Sequence, residues 1–120
     1  SEQEAKAEVY GADVPDIVLT GYGITGRMLR SAVDMLNERG IDATLIRPQT
    51  LWPFPSATYQ EIVKPGVPVL SVELSCGQFV DDVRLALPER KVTHYGRVGG
   101  NLPELNELVE QAQKCLQEAK

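Results

Sequence analysis

Cysteine is scarce in this sequence: Cys76 and Cys115 are the only two in 120 residues, and they lie far apart. They form no C-x-x-C pair, so the chain offers no frame for an iron–sulfur cluster or a structural zinc ion. Histidine is scarcer still. His94 stands alone, in a stretch that reads as a strand, and is taken as a structural imidazole rather than a general base. Basic clusters are missing and the net charge is −5, so neither nucleic acid nor an anionic membrane is an expected partner. No apolar run approaches the roughly 20 residues that span a bilayer, and no secretory leader is recognisable. The expected location is the cytoplasm. No segment repeats.

The rest of the composition is that of a globular domain, with 42% hydrophobic and 24% charged residues. The length implies one domain, with a real core but little room for a complete enzyme. The chain opens on Ser1 rather than Met, which reads as a piece of a longer polypeptide. Residues 1–12 are read as a linker or tag remnant, and "VYGADVP" (residues 9–15) as a short edge strand. Residues 13–120 form the domain.

Along that domain, strand patterns alternate with helix patterns. "DIVLTG" (16–21) is a short apolar run, as buried strands are. From Arg27 the period changes: Met28, Leu29, Ala32, Val33 and Leu36 share one helical face, and Gly40 stops the helix. "IDATLIRP" is a second strand, followed by a proline-stiffened loop, "TLWPFPS". Ser56 is placed to N-cap a short helix over "ATYQEIVK". "VPVLSVEL" is the third strand, and "SCGQ" turns into the helix "FVDDVRLAL", whose Asp81 and Asp82 suit the helix dipole. "KVTHY" is a further strand and "GRVGGNLP" a glycine-rich loop. Pro103 is expected to begin the last helix, with Leu105, Leu108, Val109, Ala112 and Leu116 as its apolar stripe. This alternation predicts an α/β fold: a mostly parallel sheet between two helical layers, its ligands or partners meeting the carboxyl ends of the strands.

"GYGITG" (21–26) stands at one such end and reads G-x-G-x-x-G between a strand and a helix. In a dinucleotide site Gly21 permits the tight turn, Gly23 the approach of the pyrophosphate and Gly26 the helix–strand contact. The second strand ends on Arg47 rather than an acid, which selects NADP. Against this reading, a proline–aromatic loop follows Arg47 at once and no catalytic base accompanies it. The other reading is that the glycines only let a strand turn sharply into a helix.

The motifs further along are more specific. "IRPQTLWPFP", "VPVLSVELSCGQFVDDVRLAL" and "HYGRVGGNLP" together resemble the C-terminal domain of the transketolase family. Within it they are similar to the α subunits of 2-oxoacid:ferredoxin oxidoreductases, of the branched-chain (3-methyl-2-oxobutanoate) type. The resemblance runs from about Asp13 to the end. It departs at Ser75, where Asn is usual, and after Gly100, where "LPELNE" replaces a "TPEE" pattern. It implies a three-layer α/β/α domain with a mixed five-stranded sheet, one edge strand antiparallel. It also implies an enzyme that oxidatively decarboxylates 2-oxoacids to acyl-CoA with thiamine diphosphate, Mg, coenzyme A and iron–sulfur clusters, passing electrons to ferredoxin. This chain would be the domain of the subunit that holds none of those cofactors. It would be inactive alone, and its partners would be the subunit's other domains and the other subunits.

The expected crevice or interface at the strand ends comprises Tyr22, Gly23, Arg47, Trp52, Phe54, Glu73, Gly77 and Gln78. Glu73 is expected to bond loop amides or Arg47, and the helix starts after Gly23 and Gly77 to face one crevice that suits an anion. Trp52 and Phe54 are read either as core lids or as a surface that neighbouring domains cover. Cys76 precedes helix amides that could lower its pKa, but no His or Lys lies close in sequence, so a reactive role is the lesser reading. Cys115 is read as packing. No catalytic or metal-binding residue is expected.

Overall fold

A computed structural model describes residues 5–24, 26–74, 78–96 and 103–119. Nine elements follow one another: β1 (Ala7–Gly11), β2 (Ile17–Tyr22), α1 (Gly26–Glu38), β3 (Ala43–Pro48), α2 (Ser56–Ile62), β4 (Val69–Glu73), α3 (Gln78–Ala86), β5 (Val92–Gly96) and α4 (Leu105–Glu118). The five strands form one sheet in the order β1-β3-β2-β4-β5. β3, β2, β4 and β5 are parallel, and β1 runs antiparallel along β3. The antiparallel edge strand is therefore present, but it lies earlier than "VYGADVP" suggested. Its residues pair with Thr44–Pro48, so part of the polar leader belongs to the sheet.

The apolar runs of the parallel strands divide between two cores by the period-2 alternation of side chains. Ile17, Leu19, Ala43, Leu45, Leu70 and Val72 point to one face, where α1 and α4 cover them with Leu29, Val33, Leu36, Leu108 and Val109. Val18, Ile46 and Val69 point to the other, under Tyr59 of α2 and Phe79, Val80 and Val83 of α3. Fully burying each such side chain is worth about 1.5–3 kcal/mol.

The helix ends follow local chemistry. α1 stops at Gly40, whose φ of +81° closes the turn while Ile41 N–H donates to Leu36 C=O. Ser56 does not cap α2: it is the first helical residue, after the Phe54–Pro55 turn has already set the chain's direction, and Pro55 takes the cap position without a side-chain bond. α4 begins two residues after Pro103, because Glu104 and Glu107 form a reciprocal capping box there.

Candidate functional site

β2 is central, and the chain leaves it for β3 on one side and reaches β4 on the other. The crevice of a doubly wound sheet falls at the carboxyl ends of that divergent pair. β2 and β4 are indeed neighbours, with Tyr22 aligned on Glu73. A crevice of about 120 Å³ opens there, lined by Tyr22, Leu51, Glu73, Gln78, Phe79 and Asp82. A larger one, about 480 Å³, lies at the opposite end around Pro65–Pro68, with Asp16 the sole charged residue among its described lining residues.

Glu73 forms the floor. It is 1% exposed, and its Oε1 accepts a hydrogen bond from the Phe79 backbone N–H at 3.0 Å. The carboxylate thus meets the Phe79 amide in the first turn of α3, where negative charge is favoured. Arg47 is not its partner. β2 separates β3 from β4, and the two side chains leave opposite faces of the sheet. Arg47 falls in step with Ala43 and Leu45 on the α1 face; Glu73 falls in step with Val69 on the α2–α3 face. α1 and α3 accordingly start from adjacent strand ends but depart on opposite sides, rather than lining one pocket together.

Arg47 instead lies over the first residue of α1. Its Nε donates to Glu8 Oε1 at 2.9 Å, and Arg30 Nη1 donates to Glu8 Oε2 at 2.8 Å. Arg47 first, with Arg30, holds the Glu8 carboxyl below the usual glutamate range. Two residues on, Tyr10 OH donates to Asp34 Oδ1 at 2.6 Å, a bond that raises the phenol's pKa. The pairing has a simple metric basis. Two residues of strand advance about 6.8 Å and four of helix about 6 Å, so Glu8 and Tyr10 meet Arg30 and Asp34 in step. Sequence reasoning missed this clamp because the leader was read as polar linker. The signal was the alternation in "EVY".

The fingerprint glycines separate by role. A methyl at Gly21 would stand 2.7 Å from Leu29 Cδ1 and 3.0 Å from Ile24 Cγ2, so bareness here serves strand–helix packing. A methyl at Gly26 would meet Arg47 Nε at 2.7 Å. Gly23 faces open space and owes its identity to a φ of +74°.

Trp52 and Phe54 also divide. Phe54 is half-buried and stacks on Tyr59, centroids 5.2 Å apart, and tilts against Phe79 at 6.3 Å; Phe79 in turn stacks on Tyr22 at 5.8 Å. These four rings run from the crevice rim to the core, where Tyr59 OH and Thr20 Oγ1 share a 2.6 Å bond and burial pushes the phenol's pKa up. Trp52 takes no part in that stack and is 88% exposed. Gln78 is the exposed first residue of α3. Gly77, Cys76, Ser75 and residues 97–102 of the "GRVGGNLP" loop lie outside the described residues. Cys115 packs in the α4 core, its thiol pKa raised by burial. His94 is exposed on the edge strand β5, its ring against Gly96. Among the described residues no three His, Cys, Asp or Glu side chains gather as metal ligands, and no helix is long and apolar enough to cross a membrane.

The architecture is an α/β domain of the transketolase C-terminal-like fold. Residues 15–108 match the family described as pyruvate:ferredoxin oxidoreductase core domain II. The chain belongs to that family. It is 43% identical over 109 residues to the ketoisovalerate oxidoreductase subunit VorB of Methanothermobacter thermautotrophicus, covering 91% of this chain and 31% of that one. It is 31% identical to the 2-oxoglutarate synthase subunit KorA of Methanothermobacter marburgensis, over 81% of this chain and 26% of that one. In three dimensions it superposes on a 2-oxoglutarate:ferredoxin oxidoreductase from Magnetococcus marinus solved with 2-oxoglutarate, coenzyme A and succinyl-CoA. The TM-score is 0.81 at 22% identity, covering 97% of this chain and 20% of that one, a likeness of fold. The chain thus spans under a third of the length of these curated relatives.

Proposed function

We propose that this chain is the assembly domain, free of thiamine, of a 2-oxoacid:ferredoxin oxidoreductase of the branched-chain, 3-methyl-2-oxobutanoate type. The observation that carries the reading is the 43% identity to a ketoisovalerate oxidoreductase subunit across nearly the whole chain, against 31% to a 2-oxoglutarate synthase subunit. The chemistry of the crevice supports it. Among the described residues its charged lining side chains are Glu73 and Asp82, and an acidic lining disfavours a diphosphate. Thiamine diphosphate with its Mg, the iron–sulfur clusters and coenzyme A belong, on this reading, to other parts of the enzyme. The partners are the subunit's other domains and the other subunits, with ferredoxin meeting the whole complex. Tyr22, Trp52 and Gln78 present the surface through which the domain joins them.

The test has two halves. The 120-residue chain alone, given thiamine diphosphate, Mg, coenzyme A and an electron acceptor, is expected to leave 3-methyl-2-oxobutanoate unchanged; turnover by it would refute the reading. The enzyme assembled with this domain is expected to show a higher kcat/KM for 3-methyl-2-oxobutanoate than for 2-oxoglutarate, and the reverse order would refute the branched-chain assignment.

A further inference from the structure

Trp52 is the most exposed large apolar side chain among the described residues. Two residues on, Phe54 anchors the same loop by stacking on Tyr59. Tyr22, 44% exposed, rests on Phe79 and edges the crevice beside it. An exposed tryptophan and a tyrosine at or after the carboxyl ends of adjacent strands have the composition of an interface core. Asp82 and Glu73 line that crevice, and among its described lining residues there is no lysine or arginine.

We infer that another segment of the same subunit covers this face, seating an apolar side chain on Trp52 and laying a lysine or arginine along Tyr22 toward Asp82. The inference rests on the assembly-domain reading above. Two observations choose this occupant. The chain spans 31% of the ketoisovalerate relative, so most of such a subunit lies outside the chain and has surface to offer. Charge disfavours a second copy: a two-fold contact centred here brings Asp82 toward its own equivalent, in a chain already carrying −5. A cationic side chain instead gains Asp82 by charge and the two aromatic faces by cation–π attraction.

Hydroxyl-radical footprinting read by mass spectrometry tests this on the 120-residue chain and on the assembled enzyme. Oxidation of Trp52 and Tyr22 is expected to fall at least tenfold on assembly. With the domain and the remainder of the subunit produced as two polypeptides, Trp52→Ala is expected to weaken their association tenfold or more. Asp82→Asn is expected to weaken it severalfold at low salt and not at 0.5 M salt, roughly where the Debye length drops to a few ångströms. Trp52 is exposed and Asp82 half-buried at the crevice, and circular dichroism of each variant verifies the fold. Unchanged oxidation of Trp52 in an assembled enzyme overturns this inference and leaves the assembly reading standing, as does Asp82→Lys binding as well as the wild type. Concentration-dependent protection of Trp52 in the chain alone also overturns it, in favour of a second copy. Failure of the wild-type domain to associate with the remainder at all overturns both.

Discussion

Replacing the fingerprint glycines one at a time by alanine separates packing from phosphate binding. Gly21 sits in the buried centre of the sheet, and its added methyl would lie 2.7 Å from Leu29 Cδ1, 3.0 Å from Ile24 Cγ2 and 3.3 Å from Val72 C=O. Leu29 and Val72 belong to the fully packed α1–α4 core, so neither can retreat freely. Overpacking of this kind costs about 1–3 kcal/mol. Gly26→Ala meets first the guanidinium groups of Arg47 and Arg30, long side chains that are partly in solvent and can shift. It should stay within about 1 kcal/mol of the wild type, helped by alanine's helix propensity. Gly23→Ala finds open space but must hold φ at +74°, at a cost of about 1–2 kcal/mol. Urea unfolding followed by circular dichroism reads all three. For a domain of this size, 1 kcal/mol corresponds to about 4 °C in Tm, so Gly21→Ala should lose about 4–12 °C. Gly21→Ala within 0.5 kcal/mol of the wild type, or Gly26→Ala costing more than Gly21→Ala, would refute the structural account of the motif.

Three further outcomes follow from the geometry. Tyr59→Phe strands the buried Thr20 hydroxyl and should cost about 1–3 kcal/mol in urea unfolding, and a neutral result would show that the hydrogen bond carries no net stability. Glu8 has a lowered pKa in the folded chain, so its contribution to stability is full above the ordinary glutamate pKa and is lost as pH falls through the folded value. Glu8→Gln should therefore flatten the acid limb of stability against pH, and an unchanged limb would show that the Arg30–Glu8–Arg47 clamp is energetically silent. NADPH added up to millimolar concentration, watched by the fluorescence of Trp52, should produce no saturable change, because Arg47 is already engaged by Glu8. Micromolar binding that Arg47→Ala abolishes would instead establish the dinucleotide site at Gly21, Gly23 and Gly26.

The sequence by itself determined the alternation of strands and helices, the apolar face of each helix and the left-handed stop at Gly40. Each depends on spacing along a few turns of chain or on one residue's conformational range, so each is written locally. It also carried the family motifs, which is why an α/β domain of this family was legible before any coordinates. Tertiary structure decided how distant segments meet. Arg47 and Glu73 both end strands and looked like partners, yet strand order puts β2 between them and pleat parity turns them to opposite faces. Trp52 and Phe54 share a loop and a chemical type, and only the position of Tyr59 beneath that loop made one a lid and left the other in solvent. Glu8 looked like part of a polar leader until β1 was laid against β3 and brought it within reach of two arginines. Periodicity reports which side of its own element a residue occupies. Which elements stand opposite that side is set by the packing of the whole chain, because burial of the two sheet faces selects one strand order from several that the same local patterns would permit.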